Sequence, residues 1–202
     1  MKNMKIIGLL SLMFALSSGM PLKYQVGDVV EDFKLKNFDG KMVALSDYKD
    51  KKGAIVIFDC NTCPYSKAYN DRIISLNKKY ATQGYPVITI NANDPQLSPG
   101  DSFEEMASQA KRKNYDFPYL VDEAQTVAKA FGATNTPHVF VLQKSGEKFQ
   151  VAYIGTIDNN SRDASSVTKR YVEDAVEALL AGKPVGTPHT KAIGCTIKWR
   201  SS

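Results

Sequence analysis

Residues 54–64 of the chain read Ala-Ile-Val-Ile-Phe-Asp-Cys-Asn-Thr-Cys-Pro, and this stretch decides the fold. Its first five residues are apolar and mostly β-branched or aromatic, which is typical of a strand buried on both faces of a parallel sheet. Pro64 suits the first turn of a helix, because the backbone N–H that proline lacks would have no intrahelical partner there. The sequence therefore predicts a strand that passes directly into a helix, with Cys60 and Cys63 at the junction.

The segments around this junction alternate between helix and strand patterns. Apolar residues recur at steps of three and four between Pro64 and Tyr80, which predicts an amphipathic helix. The other predicted elements are a hairpin around Asp39-Gly40, strands over 86–90, 117–121, 138–142 and 149–154, and helices from Asp101 or Ser102, over 123–131 and over 166–180. This order predicts an α/β fold in which helices flank a mixed central sheet, with an N-terminal β-hairpin extension and a non-helical C-terminal tail over 183–202.

Length and composition fit a soluble globular domain. The chain has 202 residues, of which 43% are hydrophobic and 23% charged, and this is enough for the core of one α/β domain. The formal charge is +5, from 26 basic and 21 acidic residues, and the basic residues are scattered along the chain. Such a weak and dispersed charge argues against nucleic acid as a partner.

The first residues of the chain have the pattern of a signal peptide. Lys2 and Lys5 precede an almost unbroken apolar run over 6–16, and small residues follow the run. The run is short for a helix that crosses the ~30 Å core of a bilayer. We therefore predict a cleaved signal peptide at 1–19, with a retained anchor as the alternative, and one domain over 20–202. The mature protein is expected to be exported, in the periplasm of a Gram-negative source, without stable membrane association.

The chain has three cysteines, Cys60, Cys63 and Cys195. An odd number does not suit a framework of structural disulfides. A disulfide between Cys60 and Cys63 would close a very short loop and would remove little entropy from the unfolded chain. Chemistry explains the pair better, because a helix N-terminus stabilises a thiolate and a second thiol nearby can release a captured substrate.

The chain resembles the thioredoxin superfamily, and within it the redoxin branch related to alkyl hydroperoxide reductase and thiol-specific antioxidant proteins. The resemblance covers residues 24–200. It rests on Cys-x-x-Cys-Pro after an apolar strand, on Thr136-Pro137 before a later strand, and on the segments Gly27-Asp28, Asp32-Phe33-Lys34-Leu35, Asp39-Gly40-Lys41, Leu45-Ser46-Asp47-Tyr48, Asn91-Ala92-Asn93-Asp94 and Gly194-Cys195-Thr196-Ile197-Lys198-Trp199. It implies a thioredoxin-like fold for the domain over 20–202.

The resemblance also implies a thiol–disulfide oxidoreductase that needs no cofactor, and the signal-peptide pattern predicts that it acts outside the cytoplasm. Cys60 would be the attacking nucleophile, with its pKa lowered below the ~8.5 of a free thiol by the helix N-terminus, and Cys63 the resolving thiol. Pro137 would have a cis peptide bond, and Thr136 would offer backbone hydrogen bonds to an extended substrate. The partners would be protein or small-molecule thiols and disulfides, and a redox partner that regenerates the enzyme.

The two residues between the cysteines depart from the patterns of this superfamily. Asn61-Thr62 is neither the Gly-Pro of reducing thioredoxins nor the Pro-His of strong periplasmic oxidants, and related redoxins often have histidine at the position of Thr62. A positively charged histidine there would stabilise the thiolate further. Thr62 therefore predicts a less extreme reduction potential, and the direction of catalysis stays open.

Other functions remain as alternatives. Peroxiredoxins have Thr-x-x-Cys at this junction, so Cys63 could serve as a peroxidase thiol, although Cys60 in place of the threonine favours exchange. A Cu(I) carrier could use Cys60, Cys63 and His138, since soft thiolates suit Cu(I), but the motif of such carriers is usually one residue longer. A zinc site would need two more ligands from His138, His189 and Cys195, which lack finger-like spacing, and we predict no resident metal.

Two further side chains have candidate accessory roles. Asp59, beside Cys60, could tune a thiol pKa or carry a proton, but we interpret it as a solvated carboxylate. Cys195 could reach Cys60 or Cys63 as a third redox thiol if the tail folds back, but we interpret it as a structural thiol. The apolar tail residues Ile193, Ile197 and Trp199 predict that the tail packs on the domain.

Overall fold

The structure is a computed structural model that describes residues 23–201. In chain order its elements are β1 (Val29–Val30), β2 (Lys34–Asn37), β3 (Met42–Ala44), β4 (Gly53–Phe58), α1 (Pro64–Tyr80), β5 (Val87–Asn91), α2 (Phe103–Arg112), β6 (Tyr119–Val121), α3 (Thr126–Phe131), β7 (Asn135–Thr136), β8 (His138–Ser145), β9 (Lys148–Gly155), α4 (Tyr171–Leu180) and β10 (Cys195–Thr196). The predicted signal peptide at 1–19 lies outside the described residues. Among residues 23–201, no helix combines the length and the apolar character that crossing a membrane requires.

An eight-stranded mixed sheet forms the centre of the domain, in the order β1-β9-β8-β4-β5-β6-β2-β3. β4, β5 and β6 are parallel to one another, and β8 is antiparallel to β4 on its other side. The predicted hairpin is formed by β2 and β3, and β2 joins the sheet by pairing with β6. β7 and β10 form a separate two-stranded sheet. β4 therefore lies in the middle of the sheet, and it is hydrogen-bonded along its length to β8 on one side and to β5 on the other.

Helices cover both faces of the sheet, and successive residues of β4 face opposite layers. Ile55 and Ile57 pack in a buried cluster with residues of α1 and α4. Val56 and Phe58 belong to a second cluster on the other face, where the ring of Phe58 lies 5.4 Å from that of Phe131 in α3. All six residues of β4 are buried, as its continuous apolar pattern predicts. Because every side chain of β4 lies in the core, a functional segment at this strand can only follow its carboxyl end.

α3 is shorter than predicted, and a side chain explains its start. The helix begins at Thr126 rather than at Glu123. The Asp122 carboxylate accepts hydrogen bonds from the N–H groups of Thr126 and Ala128, at 3.1 and 2.8 Å. This carboxylate satisfies free N–H groups of the first turn, and the left-handed backbone of Gln125 (φ 57°) does not continue into a helix, so the helix starts at Thr126.

α4 is also shorter than predicted, beginning at Tyr171 rather than at Ser166. The side-chain oxygen of Asn159 accepts hydrogen bonds from the N–H groups of Thr168 and Lys169, at 3.0 and 3.1 Å. These bonds hold the segment before the helix in a non-helical path. The predicted bounds of α1, by contrast, are confirmed.

The tail that follows α4 is non-helical, as predicted, and it returns to the domain. Ile197 is buried and Trp199 packs partly against the core, so the tail packs on the domain as predicted, although Ile193 itself is 46% exposed. β10 of the tail pairs antiparallel with β7, which places Cys195 opposite Thr136.

Candidate active site

The Cys-x-x-Cys segment lies where β4 passes into α1. Cys63 is the N-cap residue of α1, and Pro64 is its first helical residue. Cys60 and Cys63 are free thiols, and each residue is only 2% exposed. Cys60 Sγ lies 3.0 Å from Thr136 Oγ1 and 3.9 Å from Ser66 Oγ. The two sulfurs are thus enclosed between the first turn of α1 and the segment before Pro137.

Cys63 has the larger number of hydrogen-bond partners. Its Sγ lies 3.1 Å from the Thr136 carbonyl oxygen, 2.6 Å from Cys195 Sγ and 3.4 Å from the Cys195 backbone nitrogen. When Cys63 is ionised it accepts hydrogen bonds from the thiols of Cys60 and Cys195 and from the N–H groups of Ser66 and Cys195. Hydrogen bonds to the ionised sulfur, first of all from the Cys60 thiol, lower the pKa of Cys63 although its burial opposes the shift.

The order of the two thiol pKa values is the reverse of the expectation that Cys60 has the lowered one. The pKa of Cys60 is raised, first because its thiol donates to Cys63, then because of burial and the nearby Asp59 carboxylate. Cys63 is also the N-cap residue of α1, where the first-turn N–H groups and the positive end of the helix dipole favour a negative charge. In the reduced pair, these contacts therefore favour the ionised form of Cys63 over that of Cys60.

A buried carboxylate, marked in the sequence only as a candidate helix cap, holds the loop between the cysteines. Asp101 is 2% exposed. Its Oδ1 accepts hydrogen bonds from the backbone N–H groups of Asn61 at 2.6 Å and Thr62 at 3.3 Å. Its Oδ2 accepts from the hydroxyls of Thr62 at 2.7 Å and Ser98 at 2.6 Å. The cap of α2 is Ser102 instead, whose hydroxyl accepts from an N–H of the first turn.

Two asparagine side chains complete what we call the Asp101 cluster: Asp101, Asn61, Thr62, Ser98, Asn91 and Asn93. The amides of Asn91 and Asn93 donate to Asp101 at 3.3 and 2.9 Å. Because β4 and β5 are parallel neighbours, the segments after their carboxyl ends meet at one edge of the sheet. That rule predicts from the sequence that the two loops meet, but it does not say which of their side chains come together. Thr62 thus anchors the loop to Asp101, and its hydroxyl bonds neither sulfur.

The predicted docking residues, Thr136 and Pro137, lie directly against the pair of thiols. The peptide bond between them is cis, as the resemblance implies. Thr136 contacts both sulfurs, through its hydroxyl at Cys60 and through its carbonyl group at Cys63. Its backbone edge is already paired with Cys195. The edge expected to bind an extended substrate therefore holds the tail of the protein itself.

The interpretation of Asp59 as a solvated carboxylate is wrong. Asp59 is 2% exposed, and among the described residues its Oδ1 has no hydrogen-bond partner. Burial raises the pKa of Asp59 to about 7, and hydrogen bonds from the Ser66 side chain and the Cys60 backbone offset this only in part. A carboxyl group of this pKa beside Cys60 can take up or release a proton as the thiols change state.

We expect Asp59→Asn to stabilise the oxidised protein, increasingly so as the pH rises from about 4 to about 7. In this window folded Asp59 keeps its proton while the unfolded chain loses it, so the free energy of unfolding of the wild type falls with rising pH. At pH 8 the variant should exceed the wild type by on the order of 3 kcal/mol in urea unfolding.

The oxidised protein is the right form for this measurement, because a disulfide removes the titration of Cys63. The lowered pKa of that thiol acts with the opposite sign, adding stability to the reduced protein as the pH rises. The exposed carboxylate Asp50 supplies the matched control, and Asp50→Asn should follow the wild type at every pH. Parallel curves for Asp59→Asn and wild type would contradict the assignment.

His138, a ligand in the copper alternative, has a backbone partner. Its Nδ1 accepts a hydrogen bond from the Thr134 N–H at 3.3 Å, and its ring packs 4.7 Å from that of Phe140. Burial, with a smaller contribution from His189, lowers the pKa of His138 to about 4. Across residues 23–201, no three or more His, Cys, Asp or Glu side chains are grouped so as to hold a metal ion.

The chain is similar in sequence to known redox proteins. The profile of the family described as AhpC/TSA matches residues 26–148. The thiol-disulfide oxidoreductase ResA of Geobacillus kaustophilus is 29% identical over 129 residues, which are 62% of this chain and 68% of that protein.

Solved structures show the same fold. The crystal structure of an uncharacterized conserved protein from Geobacillus kaustophilus has a TM-score of 0.82 and 35% identity, and the match covers 91% of this chain and 99% of that one. A thiol:disulfide interchange protein of the thioredoxin family from Chlorobium tepidum has a TM-score of 0.59 at 18% identity, covering 78% and 99%. The second likeness bears on the fold alone, and it confirms the predicted thioredoxin-like architecture.

Proposed function

Because the chain belongs to the AhpC/TSA family and has a thioredoxin fold, we propose that it is an oxidoreductase that exchanges disulfides through Cys60 and Cys63. The observation that carries the proposal is a pair of buried free thiols at the N-terminus of α1, both in contact with Thr136. The similarity to the thiol-disulfide oxidoreductase ResA supports the same chemistry. Thiol–disulfide exchange needs these parts alone, one ionised sulfur and a second thiol close by.

The pair can run a complete exchange cycle without a cofactor. The Cys63 thiolate attacks one sulfur of a substrate disulfide, and the other substrate sulfur leaves as a thiolate. Cys60 then loses its proton and attacks Cys63 Sγ, which releases the second substrate thiol and leaves a Cys60–Cys63 disulfide. Asp59, with a pKa of about 7, is placed to accept the proton from Cys60. The substrate disulfide gains two electrons, and Cys60 and Cys63 together lose two as they form their disulfide.

The substrates of this proposal are disulfides and thiols of proteins or small molecules, and a second thiol protein regenerates the enzyme. Thr136 beside the cis Pro137 offers a backbone edge for an extended chain once β10 leaves it. The signal-peptide pattern at 1–19 supports a site of action outside the cytoplasm, and the expected compartment is the periplasm.

The wild-type protein should accelerate the reduction of insulin by dithiothreitol. In glutathione redox buffers, the thiols of Cys60 and Cys63 should be oxidised together, so that molecules have either both thiols or neither. The number of free thiols is counted by mass spectrometry after acid quenching and alkylation. The matched control is the double variant Cys60→Ser/Cys63→Ser, which keeps Cys195 and the surrounding surface. A wild-type rate no higher than that of this control would reject the proposal.

The lowered pKa of Cys63 favours peroxide reduction as a second function. In this reaction the Cys63 thiolate takes one oxygen of a hydroperoxide and becomes a sulfenic acid, while the alcohol leaves; a neighbouring thiol then condenses with it and releases water. Peroxide consumption in the presence of dithiothreitol separates the two functions. Fast consumption that survives Cys60→Ser and is lost in Cys63→Ser would identify a peroxidase.

A further inference from the structure

The third cysteine of the chain lies against the active-site pair. Cys195 Sγ is 2.6 Å from Cys63 Sγ, and the Cys195 N–H points at the same sulfur from 3.4 Å. The S–S bond of a disulfide is ~2.05 Å long, so a small movement would join these two sulfurs. Cys195 is also half-buried, whereas Cys60 and Cys63 are each 2% exposed. Of the three thiols, Cys195 is therefore the one that solvent reaches.

Contacts on both sides of Cys195 fix it in this position. Before it, the carbonyl oxygen of Gly194 accepts a hydrogen bond from the Asn135 side chain at 2.9 Å. After it, Ile197 is 3% exposed, and its N–H donates to the Thr134 carbonyl oxygen at 3.0 Å. Cys195 is thus part of a short strand anchored at both ends.

Gly194 lets this strand come close to the active site. A Cβ atom at Gly194 would lie 2.1 Å from the carbonyl oxygen of Thr136 and 2.6 Å from its carbonyl carbon. Both of those atoms belong to the backbone and cannot give way, so any larger residue would push the tail off β7. The tail lies here because its sequence provides the one residue type without a side chain at the point of closest approach.

Resting on the proposed exchange by Cys60 and Cys63, we infer that Cys195 is a third redox-active thiol, which takes over the disulfide of the pair by attacking Cys63. The Cys195 thiolate attacks Cys63 Sγ, the Cys60–Cys63 bond breaks, and Cys60 leaves with the bonding electrons. Cys60 takes up one proton for the one that Cys195 loses. One disulfide is present before and after, so the step needs no external oxidant.

The tail then acts as a tethered substrate that moves the disulfide from the enclosed pair to a thiol near the surface. In the reduced protein there is no disulfide to attack, and burial, together with the hydrogen bond to Cys63, raises the pKa of Cys195 and keeps this thiol protonated. Oxidation of Cys63 removes the negative charge next to Cys195. An ionised Cys195 is then easier to form, and it faces an electrophilic sulfur.

The test compares single cysteine variants of the mature protein oxidised by a disulfide such as oxidised glutathione. Cys60→Ser should form a Cys63–Cys195 disulfide, seen as a cross-linked pair of peptides by mass spectrometry. Cys63→Ser keeps Cys60 and Cys195 and should retain both thiols over the same time. In the oxidised wild type, alkylation should label Cys60 in one fraction of the molecules and Cys195 in the rest.

A variant that keeps all three cysteines but displaces the tail tests whether the Cys63–Cys195 disulfide depends on the position of β10. Gly194→Ala should keep the Cys60–Cys63 disulfide and lose most of the Cys63–Cys195 form, while circular dichroism reports that the domain stays folded. If Cys60→Ser keeps both thiols while Cys195→Ser forms the Cys60–Cys63 disulfide, the role of Cys195 is overturned and the proposed exchange stands. If Cys195→Ser neither forms that disulfide nor reduces insulin, the proposed exchange itself fails, and the inference with it.

Discussion

Cys63→Ser should reduce catalysed disulfide exchange to the uncatalysed rate, a loss of at least about a thousandfold, because it removes the thiol whose pKa the surrounding hydrogen bonds lower. A serine hydroxyl is not ionised at neutral pH and is a poor nucleophile towards sulfur. The measurement is insulin reduction by dithiothreitol with purified variants. The same variant should also lose the thiol that reacts with iodoacetamide at pH 5 to 6.

Cys60→Ser is the matched control for this loss, since it removes the neighbouring sulfur and leaves the N-cap thiol. Turnover should fall, but the variant should still attack the substrate, and Cys195 should release part of the mixed disulfide. The double variant Cys60→Ser/Cys195→Ser has no releasing thiol and should accumulate a mixed disulfide at Cys63. If Cys63→Ser captured the substrate through Cys60, the attack would belong to Cys60, as first expected from the sequence.

Asp101→Ala should have the largest effect on folding, lowering the free energy of unfolding by about 5 kcal/mol. The substitution removes the acceptor for the backbone N–H groups of Asn61 and Thr62 and for the amides of Asn91 and Asn93. Several of these donors are buried, and each buried donor left without a partner costs roughly 1–3 kcal/mol. Urea unfolding of the reduced and oxidised forms measures the loss.

A second buried carboxylate in the chain serves as the control for Asp101→Ala. Asp122 is 1% exposed and also accepts from backbone N–H groups, but it caps α3 and lies outside the Asp101 cluster. Asp122→Ala should cost about 1–2 kcal/mol, the usual price of a lost helix cap, and leave the reduction potential unchanged. Asp101→Ala should change both quantities, because it also frees the loop that spaces the two sulfurs. Equal effects of the two variants would contradict the proposed role of the cluster.

The active-site pair shows how far sequence patterns can lead. An apolar strand, two cysteines and Pro64 predict a thiol pair at a helix N-terminus, since each feature depends on neighbours only a few residues away. The order of the two thiol pKa values depends on which cysteine is the N-cap residue and on which distant groups point at it, and the spacing of the cysteines records neither. Asp59 was misjudged for a related reason, as its burial comes from elements packed around it.

The sequence by itself determined the strand-to-helix junction, the bounds of α1, the α/β order of elements and the thiol chemistry, all of which follow from local periodicity and residue type. Only the tertiary structure decided that Asp101 holds the loop between the cysteines and that Cys195 lies against Cys63. Asn61 and Asp101 are 40 positions apart in the sequence, and Cys63 and Cys195 are 132 positions apart. The formation of these contacts depends on which sheet edges meet and where the tail returns, and no local pattern of residues records either.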